Sequence, residues 1–388
     1  MKASGLYWKE NGVLFLKRTL YKMMAKKVKN SDKHKVLHIV SNDKFTVGYI
    51  NFMKMKMPVQ DHFFIISKVP ERSGFADLKN IYFVERSRIL QACLKIKKLA
   101  READQIIVSG AFDCWKIGLL FGVKDLNKTF LHFWGGDFYG LGNPPENIWE
   151  IIKKSLKYRC YKKCAGLVFL IEGEYDKFFE LTHVSQNHYV APMPEDPKVM
   201  IDLTEYRKME NNSGVIRIII GNSATETNQH KEIIDWMTDY MDRNIEVYVP
   251  LSYGNKQYKE QIIEYGYDKL GEKFFPLVDF MDIYSYTKLL SSMDIGIFNN
   301  NRQQALGNIN VMLAMGKKLY LRKDTSMWES YCKEGYVIFS VSDARFLSFQ
   351  EFTHFSVKDA EANEKLSDRE NKAERAMRQW NVIFKNAG

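Results

Sequence analysis

The sequence predicts an α/β protein made of two Rossmann-like domains facing each other across a cleft, and three observations carry that prediction. Short apolar runs alternate with helix-length stretches, and the alternation occurs twice. A junction with three prolines in seven residues, Ala191-Pro-Met-Pro-Glu-Asp-Pro197, separates the two series. The 388 residues, 45% of them hydrophobic, are too many for one ordinary core and enough for two.

Residues 1–33 read as a basic amphipathic extension. Val13, Leu16, Leu20 and Met24 recur at helical spacing among Lys17, Arg18, Lys22, Lys26, Lys27 and Lys29. Such a segment either lies on an anionic membrane or packs on its own domain with a solvated charged face. The first domain is expected over 34–197, with strands at 35–40, 62–66, 80–84, 105–108, 129–133, 166–171 and 188–191. Helices are expected there at 86–103 and 148–164. The second is expected over 198–358, with strands at 215–220, 245–249, 294–298, 318–321 and 336–339. Its helices are expected at 228–242, 258–265, 283–292 and 308–315. A charged helical tail, 359–388, follows. In paired domains of this kind, ligands bind beyond the carboxyl ends of the strands.

The formal net charge of +10 favours phosphate-bearing partners. No helix-turn-helix, zinc-finger or aromatic RNA-binding signature accompanies it, so nucleic acid is not the expected partner. Five scattered cysteines imply no disulfide framework and point to a reducing compartment. No run of 18 apolar residues or signal-peptide pattern is found. No phosphate loop, dinucleotide fingerprint, zinc-protease helix or nucleophile elbow is present. Without an Asp-x-Asp pair to hold a divalent ion, no metal or cofactor is expected. A diphosphate leaving group would then rest on Arg, backbone N–H groups and helix ends.

Five stretches can carry chemistry. Gly221-Asn-Ser-Ala-Thr225 ends a strand and opens toward a helix; Gly221, Asn222, Ser223 and Thr225 suit a diphosphate, or form an ordinary turn. Arg302-Gln-Gln-Ala-Leu-Gly-Asn308 also ends a strand. Arg302 offers a fork for phosphate oxygens, Gln303 and Gln304 suit sugar hydroxyls or a base, and Gly307 and Asn308 open a helix whose positive end would face the phosphates. Tyr253 can stack on a base or sugar. In His132-Phe-Trp-Gly-Gly-Asp-Phe-Tyr139, Asp137 is placed to deprotonate an acceptor hydroxyl, with Trp134 and Tyr139 as sugar platforms. Alternatively Asp137 is a helix cap and Trp134 is core. In the helix at 148–164, Ile148, Ile152 and Leu156 form one stripe, and Lys153, Lys154 and Lys157 belong to a basic face that suits an anionic membrane or lipid pyrophosphate.

With these residues in place, the chain resembles the bacterial TDP-N-acetylfucosamine:lipid II N-acetylfucosaminyltransferases, glycosyltransferase family 56. The matching stretches are 132–139, Gly221-Asn-Ser with Asn228 and His230, Val249-Pro-Leu-Ser-Tyr253, Arg302-Gln-Gln-Ala-Leu-Gly307 and Trp328, in order over roughly residues 35–385. The resemblance implies a GT-B fold, with the acceptor domain first, where His132 joins Trp134 and Tyr139, and the donor domain second, where Asn228 joins the loops above. It implies metal-independent transfer from a TDP-sugar to an undecaprenyl-diphosphate-linked saccharide, by a cytoplasmic protein peripheral to the inner face of the membrane. The chain departs from the family at residues 1–33, at Asn308-Ile-Asn and at Lys317-Lys318, which leaves open a UDP-sugar donor for another surface glycan. A GT-B nucleotide-sugar epimerase or hydrolase is the rival on the same scaffold.

Overall fold

The computed structural model describes residues 34–41, 43, 45–58, 60–67, 80–84, 89–194, 196–197 and 214–386. The basic extension, 1–33, lies outside them. The first parallel sheet has the order β3-β2-β1-β4-β5-β6-β7, built from β1 (Lys35–Ser41), β2 (Asp61–Ser67), β3 (Ile81–Val84), β4 (Gln105–Ser109), β5 (Thr129–His132), β6 (Gly166–Phe169) and β7 (His188–Val190). The second has the order β10-β9-β8-β11-β12-β13. Its strands are β8 (Ile216–Ile220), β9 (Ile245–Pro250), β10 (Phe274–Leu277), β11 (Ile295–Phe298), β12 (Lys318–Leu321) and β13 (Phe339–Ser340).

Apolar runs make these strands because both sheet faces are covered. Val36, Phe64, Ile107 and Val168 point to one side of the first sheet, and Leu37, Ile106, Leu131 and Leu167 to the other. Proline hid β10 from the sequence reading: Pro276 lies in it, and a strand at the sheet edge tolerates proline. The strand expected at 336–339 shrinks to Phe339–Ser340. Helices Thr46–Lys56, Cys114–Leu120, Glu174–Thr182 and Ser326–Lys333 were not foreseen. The stretch read as a tail forms the helices Val357–Leu366 and Arg369–Lys385. The second returns to the first sheet, where Trp380, Ile383 and Phe384 are buried against Val36 and Tyr49. Its Arg375 meanwhile reaches Glu334 of the second domain, Nη1 to Oε2 at 2.6 Å.

Buried histidines tie the first core together. His62 Nε2 donates to the Met57 carbonyl (2.9 Å), so its Nδ1 accepts from His38 Nε2 (2.8 Å), and His38 Nδ1 accepts from the Tyr49 hydroxyl (2.8 Å). Burial, then His62 and His132, hold His38 well below its ordinary pKa. Burial pushes His132 and His230 down to about 3. These three stay neutral when folded but protonate near pH 6.5 when unfolded, so the stability they give is present above that pH and lost as pH falls. Two carboxyls oppose this, because burial raises Asp137 to about 7 and raises Glu174 as well. Three protons against two, or fewer where Glu174 is already ionised, leave a net cost of about 1–3 kcal/mol per pH unit below 6.5. The thermal unfolding midpoint is therefore expected to drop between pH 6.5 and 5, and an unchanged midpoint would contradict this balance.

Candidate active site

Segments leaving the carboxyl ends of β4, β5 and β6 meet segments leaving those of β11 and β12. Ser326 Oγ donates to Glu174 Oε1 at 2.5 Å, and the Gln303 backbone N–H reaches the Tyr139 hydroxyl at 3.4 Å. Ile171 packs against the second domain's core, and Lys333 pairs with Glu172 at 3.6 Å. Arg302 stands at the centre. Burial lowers its pKa, and Tyr139, Glu174 and Asp137 of the first domain pull it back up. Its Nη1 donates to the Gln303 carbonyl at 3.0 Å.

Asp137 is buried, but it does not cap a helix with its side chain. Its Oδ2 accepts from the backbone N–H groups of Ala111 (2.6 Å) and Trp134 (3.2 Å), and its Oδ1 has no partner among the described residues. Desolvation raises the carboxyl to about 7, against those two hydrogen bonds and the positive charge of Lys157. Glu174, which sequence reasoning missed, is its counterpart. It follows Gly173, whose φ is +82°, at the start of the helix Glu174–Thr182. Its Oε1 accepts from Tyr139 (2.6 Å) and Ser326, and its Oε2 is buried without a partner among the described residues. A glycine and a carboxylate directly after a buried strand were the available signal. Gln303 Oε1 is a third buried oxygen in this cleft without a partner among the described residues.

Gly135 sets how closely the domains approach. Its φ is +103°, and a Cβ there would stand 1.7 Å from Gln303 Oε1 and 2.9 Å from the Gln303 carbonyl oxygen. Gly135→Ala is expected to displace the two loops and lower kcat/KM by about 10²-fold. Circular dichroism should stay native, and a fully active alanine variant would contradict the close approach.

Several expectations are corrected. His132 does not face an acceptor: it is wholly buried, with Nδ1 on Ser109 Oγ (2.8 Å) and Nε2 donating to the Ala191 carbonyl (3.2 Å). Trp134 is half-buried at the cleft, its Nε1 donating to Ser109 Oγ at 3.0 Å. Tyr139 acts as a strut to Glu174 and stacks on Phe138 rather than standing free as a sugar platform. Asn228 is wholly buried; its Nδ2 donates to Ser223 and Thr225, and its Oδ1 accepts from the Asn222 N–H and from Asn300. Gly221 accommodates this side chain, since a Cβ would lie 2.7 Å from Asn228 Oδ1 and 2.8 Å from His230 Nε2. The loop Gly221–Thr225 therefore spends much of its backbone internally: Gly221 N–H on Ile297, Ala224 on Tyr253 and Thr225 on Ser223.

Gln304 closes this network, its Nε2 donating to Asn222, Ser223 and Thr225 at 3.0–3.1 Å. Tyr253 is exposed, and its hydroxyl accepts from Asn222 Nδ2 at 2.9 Å. Asn308 Nδ2 donates to the Tyr286 hydroxyl at 2.8 Å. Gly307 borders open space at the start of the helix Leu306–Ala314, which no side chain caps. That start is a free positive helix end beside Arg302 in sequence. Of the lysines expected on a membrane, Lys154 turns inward to the Leu141 carbonyl (2.8 Å) and Lys157 is half-buried toward Asp137; only Lys153 is exposed. Of the apolar stripe on this helix, Ile148 and Ile152 are exposed and Leu156 is half-buried.

Two parallel Rossmann-like domains closing on one polar cleft make the GT-B fold. The same fold occurs in a glycosyltransferase from Rickettsia africae ESF-5, at 16% identity and a TM-score of 0.62, covering 92% of this chain and 99% of that one. It occurs in Anabaena Alr3699/HepE in complex with UDP and glucose, at 11% identity and a TM-score of 0.60, covering 90% and 99%. It occurs also in S. aureus MnaA with UDP, at 11% identity and a TM-score of 0.52, covering 91% and 97%. The chain belongs to the 4-alpha-L-fucosyltransferase family, glycosyl transferase group 56, whose model matches residues 34–353.

Proposed function

We propose that this glycosyltransferase moves a deoxy-amino sugar of the N-acetylfucosamine class from a TDP-sugar to an undecaprenyl-diphosphate-linked saccharide, for a cell-surface glycan, as a peripheral protein at the cytoplasmic face of the inner membrane. In this reading the acceptor domain is 34–197, the donor domain 198–358 and the C-terminal tail 359–388. The observation that carries the reading is Arg302, a forked cation of the second domain whose Nη1 lies 3.6 Å from where a Gly136 Cβ would stand, within electrostatic reach of Asp137, Tyr139 and Glu174 of the first. In this reading Arg302 and the uncapped start of Leu306–Ala314 neutralise the departing diphosphate. Gln303, Gln304 and Tyr253 position the donor, and Trp134 lines the acceptor side. Asp137 takes the proton from the attacking hydroxyl as the glycosidic bond forms and the sugar–phosphate bond breaks, if the anomeric centre inverts. If it is retained, Asp137 orients the acceptor instead.

A UDP-sugar donor is the second reading, favoured by the UDP in the HepE and MnaA structures. A thermal-shift screen of TDP-, UDP- and GDP-sugars separates the two. A ligand at one hundred times its dissociation constant stabilises by about 2.7 kcal/mol, and TDP-sugars are expected to give the largest shift. Transfer should then require the lipid-linked saccharide. Equal nucleotide release without it would replace the transferase reading with a hydrolase.

A further inference from the structure

The helix Ile148–Lys163 packs on the helix Cys114–Leu120 so closely that a Cβ on Gly118 would lie 2.5 Å from the Leu156 carbonyl oxygen. The outer side of this pair is apolar. Leu119 is 70% exposed, Trp149 67% and Ile148 65%, and Phe112, Ile151 and Ile152 are exposed beside them. Positions 148, 151 and 152 fall on one helical stripe, so the isoleucines stand together rather than scattered. An exposed apolar cluster on a pair of packed helices marks an interaction surface.

The cluster is flanked by positive charge. The Lys116 and Lys153 ammonium groups lie 5.6 and 5.7 Å from the Trp115 ring. A depression of about 370 Å³, lined by Lys97, Arg101 and Lys124, meets the exposed Val123. Asp113 offsets part of this through its pair with Lys116, and Asp125 and Glu150 add two more acidic groups. The cluster also reaches the cleft. The Phe112 ring is 3.0 Å from where a Gly136 Cβ would stand, and Arg302 Nη1 is 3.6 Å from that point.

We infer that this face, Phe112, Leu119, Ile148, Trp149, Ile151 and Ile152 with Lys116, Lys124 and Lys153, docks on an anionic lipid bilayer. The inference rests on the lipid-linked acceptor proposed above. Tryptophan, isoleucine and leucine tips enter the headgroup boundary while the lysines meet lipid phosphates. That sets the mouth of the cleft at the membrane surface, where a lipid-anchored diphosphate is presented.

Flotation of the full chain with vesicles tests this, using phosphatidylcholine alone and phosphatidylcholine mixed with phosphatidylglycerol. The wild type is expected to float with the mixed vesicles and to release as salt rises. The double variant Leu119→Glu, Trp149→Glu should bind them about tenfold or more weakly. Both side chains are exposed, so folding is expected to be kept, and the nucleotide-induced thermal shift should be unchanged in the variant. Wild-type failure to bind overturns the inference. So does undiminished binding by the variant, as when residues 1–33 alone carry attachment, or a wild-type dimer that the variant disperses. Loss of the nucleotide shift in the wild type would instead remove the transferase reading and leave the vesicle result standing.

Discussion

Asp137→Asn is expected to lower kcat by about 10²–10⁴-fold, the usual contribution of a positioned general base. The substitution isolates chemistry from architecture. Asparagine keeps a carbonyl oxygen that can accept the Ala111 and Trp134 N–H groups now held by Asp137 Oδ2. The bracket between the two loops is thus retained while the basic site is lost. Burial has placed the wild-type carboxyl at about 7, the range where a base is both ionised and strong enough to take a proton. A base works only when deprotonated, so wild-type kcat/KM should rise with pH through an apparent pKa near 7 and then level. The variant should lack that rise. Unchanged turnover in the asparagine variant would leave Asp137 with the bracket alone.

The strands were legible because parallel strands covered on both faces are written as near-continuous β-branched runs, as in Ile216–Ile220 and Gln105–Ser109. Burial within the polar loops was not legible. The family resemblance implied ligand roles for His132 and Asn228, but their partners, the Ala191 carbonyl and Asn300, are 59 and 72 residues away in sequence. The helix Ile148–Lys163 shows the same limit. Periodicity revealed a stripe through Ile148 and Ile152, but periodicity does not say which side of a helix the domain will use. Here the inner side is held by Cys160 and Tyr161, leaving the isoleucines outside. Glu174 escaped notice because its role exists only across the cleft, where Tyr139 and Ser326 come from different domains. The position of Arg302 at the cleft could be read directly, since it follows the carboxyl end of a buried strand.

Replacing that arginine tests the cleft as a whole. Arg302→Ala is expected to weaken donor binding and to lower kcat/KM by about 10²–10³-fold, comparable to removing one preorganised donor to developing charge. The reason lies in its surroundings. Asp137 and Glu174 are both buried, both are raised by desolvation, and each has an oxygen without a partner among the described residues. Lys157 acts on Asp137 from its own domain, and Arg302 is coupled to both carboxylates from across the cleft. Removing it exposes an incoming diphosphate to two acidic groups with no opposing fork, so binding and leaving-group stabilisation suffer together. Arg302→Lys keeps the charge but loses the planar pair of donors, and should recover only a small part of the activity. Calorimetry with the nucleoside diphosphate and single-turnover transfer measure the two effects separately. Were Arg302 merely a clasp between domains, the lysine variant would restore turnover and nucleotide affinity would not move in either variant. Glu174→Gln sharpens the contrast: it keeps an acceptor for Tyr139 and Ser326 and removes one negative charge beside Arg302. A cation that serves the diphosphate should then bind it more tightly, whereas a clasp would only loosen.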